Sequence, residues 1–102
     1  MESMPPEIIG IAWYKKEDYK RIVSISKDGN IFSPSYEVWL AAAEKHVRAL
    51  ESKGFTVIKT EINPDTFPAW CAANGMDING KARIAFGNSK AMEFMKKKQA
   101  EN

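Results

Sequence analysis

At 102 residues the chain has the length of one domain, with a formal net charge of +2 and a composition that is 44% hydrophobic and 27% charged. That composition is ordinary for a folded globular protein, and no apolar run approaches the roughly 20 residues that a transmembrane helix needs. We predict a single domain over residues 1–102, with a core at 7–98 and flexible ends at 1–6 and 99–102.

The positive charge comes from one end of the chain. Residues 1–95 hold 12 Lys and Arg against 12 Asp and Glu, and Lys96, Lys97 and Lys98 supply the excess. Because residues 1–95 carry no net charge, their long-range attraction to phosphates or anionic membranes is weak. We therefore expect no membrane partner, and nucleic acid is a disfavoured partner.

The cysteine content and the first residues bear on localisation. Cys71 is the only cysteine, which excludes an intramolecular disulfide framework and favours a reducing compartment. Met1–Pro6 has neither the basic region nor the apolar region of a signal peptide. We predict a cytoplasmic protein.

Two apolar segments, Ile8–Tyr14 and Phe55–Ile62, are predicted strands. The first is nearly continuous in apolar residues, which is typical of a strand covered on both faces. Gly10 would otherwise weaken this strand, so we interpret it as a position that a backbone or helix approaches closely.

The segment Glu17–Ser26 is ambiguous. Tyr19, Ile22 and Val23 have helical spacing, whereas the Asp-Gly-Asn turn that follows suits a hairpin over Ile22–Phe32. We favour a short helix followed by a loop and keep the hairpin as the alternative.

The longest predicted helix ends at Gly54. Ser33 is the predicted N-cap and Pro34 the first helical residue. Gly54 ends the helix in the left-handed conformation, with Phe55 folding back onto Leu50 as in a Schellman cap. Six apolar residues share one face of this helix: Tyr36, Trp39, Leu40, Ala43, Val47 and Leu50.

Two further helices follow the second strand. Pro68 suits the first turn of a short helix that begins near Asp65–Thr66 and ends at Asn74-Gly75. A last helix is predicted over Asn79–Lys98, with a break or kink at Gly87-Asn88 as an option.

The predicted order is βααβαα. We predict an α/β fold, with α+β as the alternative, that has two short parallel strands and about four helices. Two strands alone make a poor sheet, and an apolar strand with an open edge invites pairing with another chain. We therefore expect a homodimer that completes the sheet across a two-fold axis.

Cys71 and His46 are weak candidates for catalysis. A dyad needs the imidazole within hydrogen-bond reach of a thiol whose pKa is lowered. Cys71 follows Trp70 on an apolar face, where cysteine usually packs as a small hydrophobe, and His46 lies at the border of the helical stripe. One His and one Cys cannot close a tetrahedral metal site. We assign no catalytic residue, no metal and no cofactor.

The stretch Trp13–Arg21 offers more chemistry, since aromatic rings alternate with cations after the carboxyl end of the first strand, where open α/β sheets bind ligands. Such a surface suits stacked bases or an anionic metabolite. We favour the interpretation in which Trp13 and Tyr19 anchor the core and Lys15, Lys16 and Lys20 form a solvated face, and keep ligand binding as the alternative. The candidate ligand-binding residues are Trp13, Tyr14, Tyr19, Trp39, Trp70 and Arg83.

These features favour a non-enzymatic, homo-oligomeric interaction or ligand-binding module. One alternative is a small enzyme or sensor with a pocket near Trp13–Tyr19 that uses His46 or Cys71. Another is a weak nucleic-acid binder that uses the basic, aromatic stretch and the lysine tail.

One set of motifs covers most of residues 8–95. Its members are Ala12-Trp13-Tyr14 with Glu17-Asp18-Tyr19, Tyr36–Glu44, Ala69-Trp70-Cys71 with Gly75, and Lys81-Ala82-Arg83. In these motifs the chain resembles a family of small bacterial cytosolic proteins of similar length. That family has no established activity, so the resemblance implies a bacterial cytosolic protein and no site residues.

Overall fold

Strands and helices follow one another in the order β1, α1, α2, β2, α3, α4 in the computed structural model, which describes residues 8–100 and the side chains of residues 8–97. The elements are β1 (Ile8–Trp13), α1 (Tyr19–Ile25), α2 (Tyr36–Ser52), β2 (Thr56–Glu61), α3 (Phe67–Ala73) and α4 (Gly80–Ala100). The predicted α/β fold and the βααβαα order are confirmed. Two short 3-10 turns, Lys16–Asp18 and Gly29–Ile31, flank α1, so the hairpin alternative for this segment is wrong.

The two strands are parallel, with Ile8 opposite Thr56 and Trp13 opposite Glu61. Within the described residues each strand pairs along one edge only. Beyond the strands, the Ile62 N–H donates to the Trp13 carbonyl at 2.9 Å and continues the ladder. Helix α1 and the start of α2 lie at the carboxyl end of this sheet.

Helix α4 crosses β1 where two glycines meet. A Cβ on Gly10 would overlap the carbonyl oxygen of Gly87, and a Cβ on Gly87 would lie 2.7 Å from the Gly10 oxygen. The close approach predicted for Gly10 is therefore confirmed. α4 continues through Gly87-Asn88 without a break, because one glycine costs a helix only about 1 kcal/mol and the packing at this crossing favours it.

The N-terminus of α2 differs from the prediction. Ser35 is the N-cap, and its Oγ accepts from the Val38 N–H at 3.2 Å. The carbonyl of an N-cap residue accepts the first hydrogen bond of the helix, whereas the Ser33 carbonyl accepts from the Tyr19 hydroxyl at 2.7 Å. Ser33 thus belongs to the segment that leads into the helix.

The C-terminus of α2 agrees with the prediction. Gly54 has a φ of 97°, the Phe55 N–H donates to the Leu50 carbonyl at 3.2 Å, and the Gly54 N–H donates to the Glu51 carbonyl at 3.0 Å. These two hydrogen bonds define a Schellman cap. The chain then passes directly into β2.

The last two helices begin with the residues that the sequence favours. Pro68 lies in the first turn of α3, where its missing N–H removes no helical hydrogen bond. Asn79 precedes α4, and its Oδ1 accepts from the Ala82 N–H at 3.1 Å.

The core lies where α1, α3 and α4 meet the carboxyl end of the sheet. Ile22, Ile62 and Phe67 are almost completely buried there. The full cluster consists of Tyr14, Tyr19, Ile22, Ile62, Phe67, Cys71 and Ala82. Among the described residues, no helix combines the length and apolarity needed to cross a membrane.

Candidate functional site

Aromatic residues from β1, α1 and α2 pack together at the carboxyl end of the sheet. The ring centroids of Tyr14 and Trp39 are 4.7 Å apart, and those of Trp13 and Trp39 are 5.1 Å apart. Tyr19 lies 6.1 Å from Trp39. We call this group the aromatic cluster: Trp13, Tyr14, Tyr19, Phe32, Tyr36 and Trp39. Four of the six predicted ligand-binding residues are therefore brought together.

Beside the aromatic cluster lies an open groove of about 520 Å³. One wall is the 3-10 turn Lys16–Asp18 with the start of α1, and the other is the segment 32–37 that leads into α2. Three aromatic side chains, Tyr19, Phe32 and Tyr36, supply apolar surface, and four charged side chains line the groove: Lys16, Glu17, Lys20 and Glu37.

A hydrogen bond fixes the two walls of the groove relative to each other. The Tyr19 hydroxyl, on α1, donates to the Ser33 carbonyl at 2.7 Å. Burial raises the pKa of Tyr19, and the hydrogen bond to Ser33 partly opposes the shift. The phenol thus remains a donor at neutral pH and keeps the two walls joined.

An ion pair spans the groove. Lys16 Nζ lies 3.1 Å from Glu37 Oε2, and the two side chains are 73% and 65% exposed. The pKa of Glu37 is held below its ordinary value first by its own backbone N–H and then by Lys16. Exposed pairs of this kind gain little free energy, so a ligand can displace this one.

A second ion pair supports the groove from behind. Arg83 Nη1 and Nη2, on α4, donate to Asp28 Oδ1 and Oδ2 at 3.1 and 2.6 Å. The Gly80 N–H also donates to Asp28, at 3.0 Å. Hydrogen bonds from Arg83 are the largest cause that lowers the pKa of Asp28. The Arg83 guanidinium lies 4.6 Å from the ring centroid of Phe32, so this pair also positions one wall of the groove.

A smaller cavity of about 190 Å³ lies on the other side of Phe32 and Ser33. Tyr14, Trp39 and Arg83 line it. Burial raises the pKa of Tyr14 to about 12, and Arg83 partly opposes the shift. At neutral pH this cavity therefore presents a phenol that is always protonated.

Trp70 is the predicted ligand-binding residue that lies elsewhere. It packs on α3 against Phe67 and, at 5.2 Å between ring centroids, against Phe86 of α4. It lines an open depression of about 670 Å³ between α3 and α4 together with Met76 and Met92. The sequence placed Trp70 with the other candidates because no local signal separates two groups of aromatic residues that lie so far apart in the chain.

The two weak catalytic candidates lie on different elements. Cys71 is buried in the core on α3, and burial raises the pKa of its thiol. His46 is exposed on α2. Among the described residues no group of three or more His, Cys, Asp or Glu side chains could hold a metal ion.

Most cations of the stretch Trp13–Arg21 have carboxylate partners. Lys15 lies 3.6 Å from Glu61, Lys16 pairs with Glu37, and Arg21 pairs with Asp65. The stretch therefore offers less free positive charge than its sequence indicates.

Sequence reasoning missed several residues of the groove. Phe32 and Glu37 had no assigned role, and Tyr36 was assigned to the buried stripe of a helix. Its position next to the Pro34 turn was a signal that Tyr36 starts the helix rather than lying inside it. The partnership of Asp28 and Arg83, 55 residues apart, leaves no local pattern.

Comparison with known proteins adds no relative, since the chain matches no protein-family model, no curated protein and no solved structure.

Proposed function

We propose that the protein is a non-enzymatic binding module that holds a small, flat ligand in the groove. The observation that carries this proposal is the groove itself, a space of about 520 Å³ with Tyr19, Phe32 and Tyr36 in its lining. Sites for small molecules have volumes of about 300–1,000 Å³, are mostly apolar and carry a few polar groups. The groove has each of these properties.

The walls of the groove favour binding because they are held in place. The Tyr19 hydroxyl joins one wall to the other through Ser33, and Arg83 packs behind Phe32. A site that is formed before the ligand arrives loses less conformational entropy on binding.

The enzyme alternative has less support. A nucleophilic cysteine needs an exposed thiol with a lowered pKa, whereas Cys71 is 1% exposed and its pKa is raised. The groove contains neither Cys71 nor His46. A binding role uses the residues that do line the groove.

The nucleic-acid alternative also has less support. Affinity for nucleic acid depends on cations that neutralise phosphates. Lys15, Lys16 and Arg21 face Glu61, Glu37 and Asp65 instead. Lys98 of the lysine tail lies outside the described side chains.

A homodimer formed through β1 is a second proposal, which the composition of the two strands favours. β1 (Ile8–Trp13) has no charged residue, whereas β2 carries Lys59 and Glu61. Charged side chains protect an edge strand from pairing, and their absence leaves an edge open to it. Antiparallel pairing of β1 with a second copy would produce a four-stranded sheet with two-fold symmetry. A bacterial, cytosolic setting completes the proposal, supported by the single reduced cysteine and the motif resemblance.

Ligand binding is tested with 2-naphthol as a probe, followed in ¹H–¹⁵N correlation spectra. We expect saturable shifts centred on Tyr19, Phe32 and Tyr36. Tyr36→Ala should weaken binding about fivefold or more because it removes one aromatic contact. Val38→Ala is the matched control, since Val38 is exposed on the same helix and lies outside the groove. Shifts spread over the whole surface, without saturation, would contradict the proposal.

The dimer is tested by light scattering over a dilution series. We expect a mass of twice 11.5 kDa, and Ile8→Lys should lower it to that of a monomer. Thr56→Lys is the control, because Thr56 is the partner of Ile8 on the other strand. A monomer at every concentration would end this proposal.

A further inference from the structure

We infer that the groove takes a zwitterionic ligand with an aromatic ring, of the class of free aromatic α-amino acids. This inference rests on the proposed function and adds the charge of the ligand to it. Three features of the groove carry it: a balanced set of charges, an ion pair that a ligand can displace, and a seat for a ring.

The charges that line the groove cancel. Lys16 and Lys20 are cations, and Glu17 and Glu37 are carboxylates. An anion in the groove would approach two carboxylates, and a cation would approach two ammonium groups. A ligand that carries one charge of each sign avoids both repulsions and finds an opposite partner for each of its charges.

The Lys16–Glu37 pair gives such a ligand its two anchoring points. Lys16 lies on the wall before α1 and Glu37 on the wall formed by α2, with 3.1 Å between their charged atoms. A ligand that inserts its carboxylate beside Lys16 and its ammonium beside Glu37 replaces one exposed pair by two. Each protein charge keeps a partner of opposite sign in this exchange.

The ring seat lies next to these charges. The ring of Tyr19 meets those of Phe32 and Tyr36 edge to face, at interplanar angles of 67° and 75° and centroid distances of 6.0 and 5.8 Å. A ligand ring that enters the groove packs against Phe32 and Tyr36, which are only partly buried, while Tyr19, 4% exposed, lies beneath them; edge-to-face and offset contacts are the arrangements that aromatic pairs prefer. One ring and two opposite charges on neighbouring atoms describe an aromatic α-amino acid.

Four ligands that differ only in charge test the inference. L-Phenylalanine carries both charges, and N-acetyl-L-phenylalanine carries only the negative charge. L-Phenylalaninamide carries only the positive charge, and N-acetyl-L-phenylalaninamide carries none. Their affinities are measured at about pH 6, where an α-amino group is charged. Tryptophan fluorescence gives the readout, since Trp39 lies 5.5 Å from the Tyr36 ring.

We expect L-phenylalanine to bind about fivefold more tightly than any of the other three, because each exposed ion pair adds only a little affinity. Lys16→Gln should remove the advantage that the carboxylate gives, and Glu37→Gln the advantage that the ammonium gives. Lys45→Gln and Glu44→Gln are the matched controls, since both residues are exposed on α2 outside the groove. The controls should keep the full preference.

The possible outcomes distinguish a failure of the zwitterionic ligand from a failure of the proposed binding function. Equal affinity for all four ligands, or a preference for one of the singly charged ligands, overturns the zwitterion while the groove remains a binding site. Binding of 2-naphthol without binding of L-phenylalanine has the same meaning. Absence of binding by every one of these probes overturns both the inference and the proposed function.

Discussion

Arg83 and Asp28 meet in a two-pronged ion pair, with one guanidinium nitrogen on each carboxylate oxygen, although 55 residues separate them. Their side chains are only 10% and 22% exposed. The pair joins the loop after α1 to the first turn of α4, so it connects the two halves of the chain.

Arg83→Met should lower the free energy of unfolding by about 3 kcal/mol, because it leaves Asp28 largely buried without its cation. Lys27→Met is the matched control. Lys27 pairs with Asp77 at 3.2 Å, and both side chains are more than half exposed, so its loss should cost less than about 1 kcal/mol. Chemical denaturation measures both values. Equal losses from the two variants would show that the Arg83 pair is no stronger than a surface pair.

Asp28 should make stability depend on pH in the acid range. Its pKa is lower in the folded protein than its ordinary value of 3.8. The stabilisation is therefore present above the ordinary pKa and is lost as the pH falls through the lowered one. We expect the stability difference between the wild type and Asp28→Asn to be constant near neutrality and to shrink below about pH 4. A constant difference down to acid unfolding would contradict this assignment.

The raised pKa of Tyr14 predicts that the stability of the protein decreases as the pH rises in the alkaline range. Burial raises its pKa from 10.0 to about 12. The unfolded chain thus ionises this phenol before the folded one does, so its contribution to stability is complete below pH 10 and is lost as the pH rises toward 12. Absorbance of tyrosinate at alkaline pH should reveal a phenol that titrates near pH 12, which Tyr14→Phe removes, while the phenol of Tyr19, whose pKa burial also raises, remains. Tyr36→Phe should leave that late step in place.

The glycine crossing predicts a large effect from one methyl group. Gly87→Ala places a Cβ 2.7 Å from the Gly10 carbonyl oxygen, so β1 and α4 must move apart. We expect a loss of about 1–3 kcal/mol in the free energy of unfolding, even though alanine favours a helix over glycine. Asn88→Ala, at the next and exposed position of α4, should be neutral or slightly stabilising. A stabilised Gly87→Ala variant would mean that the two elements are less close than described.

Cys71 should react slowly with thiol reagents in the folded protein. It is 1% exposed and its pKa is raised by burial, so little thiolate is present and little of it is accessible. We expect labelling by 5,5′-dithiobis(2-nitrobenzoate) to accelerate greatly in denaturant. Fast labelling under native conditions would restore Cys71 as a reactive group and favour the enzyme alternative.

Local patterns predicted the elements that local physics controls. The Schellman cap at Gly54 and the start of the last helix near Asn79 depend on residues within one or two turns, and the two apolar strands were recognisable by composition. The N-cap of α2 was misplaced by two residues because the hydroxyl groups of Ser33 and Ser35 are both suitable. Only the long-range bond from Tyr19 to Ser33 distinguishes them.

The groove was only partly predictable, because its two walls come from segments whose contact leaves no local pattern in the sequence. The richness of the stretch Trp13–Arg21 pointed to the correct end of the sheet, and Tyr19, Lys16 and Lys20 of that stretch do line the groove. The opposite wall comes from the segment before α2, whose distance from α1 depends on how the chain folds back. Sequence spacing along one element carries no information on that distance.

The close contact between Gly10 and Gly87 restricts the length of the segment that connects α3 to α4. Phe86 and Asn88 flank Gly87, so moving α4 along its axis by one residue would bring a side chain to the point where the backbones meet. An insertion between α3 and α4 can therefore be accommodated only as an outward bulge of residues 74–79, and a deletion there would pull α4 out of place. Among proteins that share this fold, deletions between α3 and α4 should accordingly be rare.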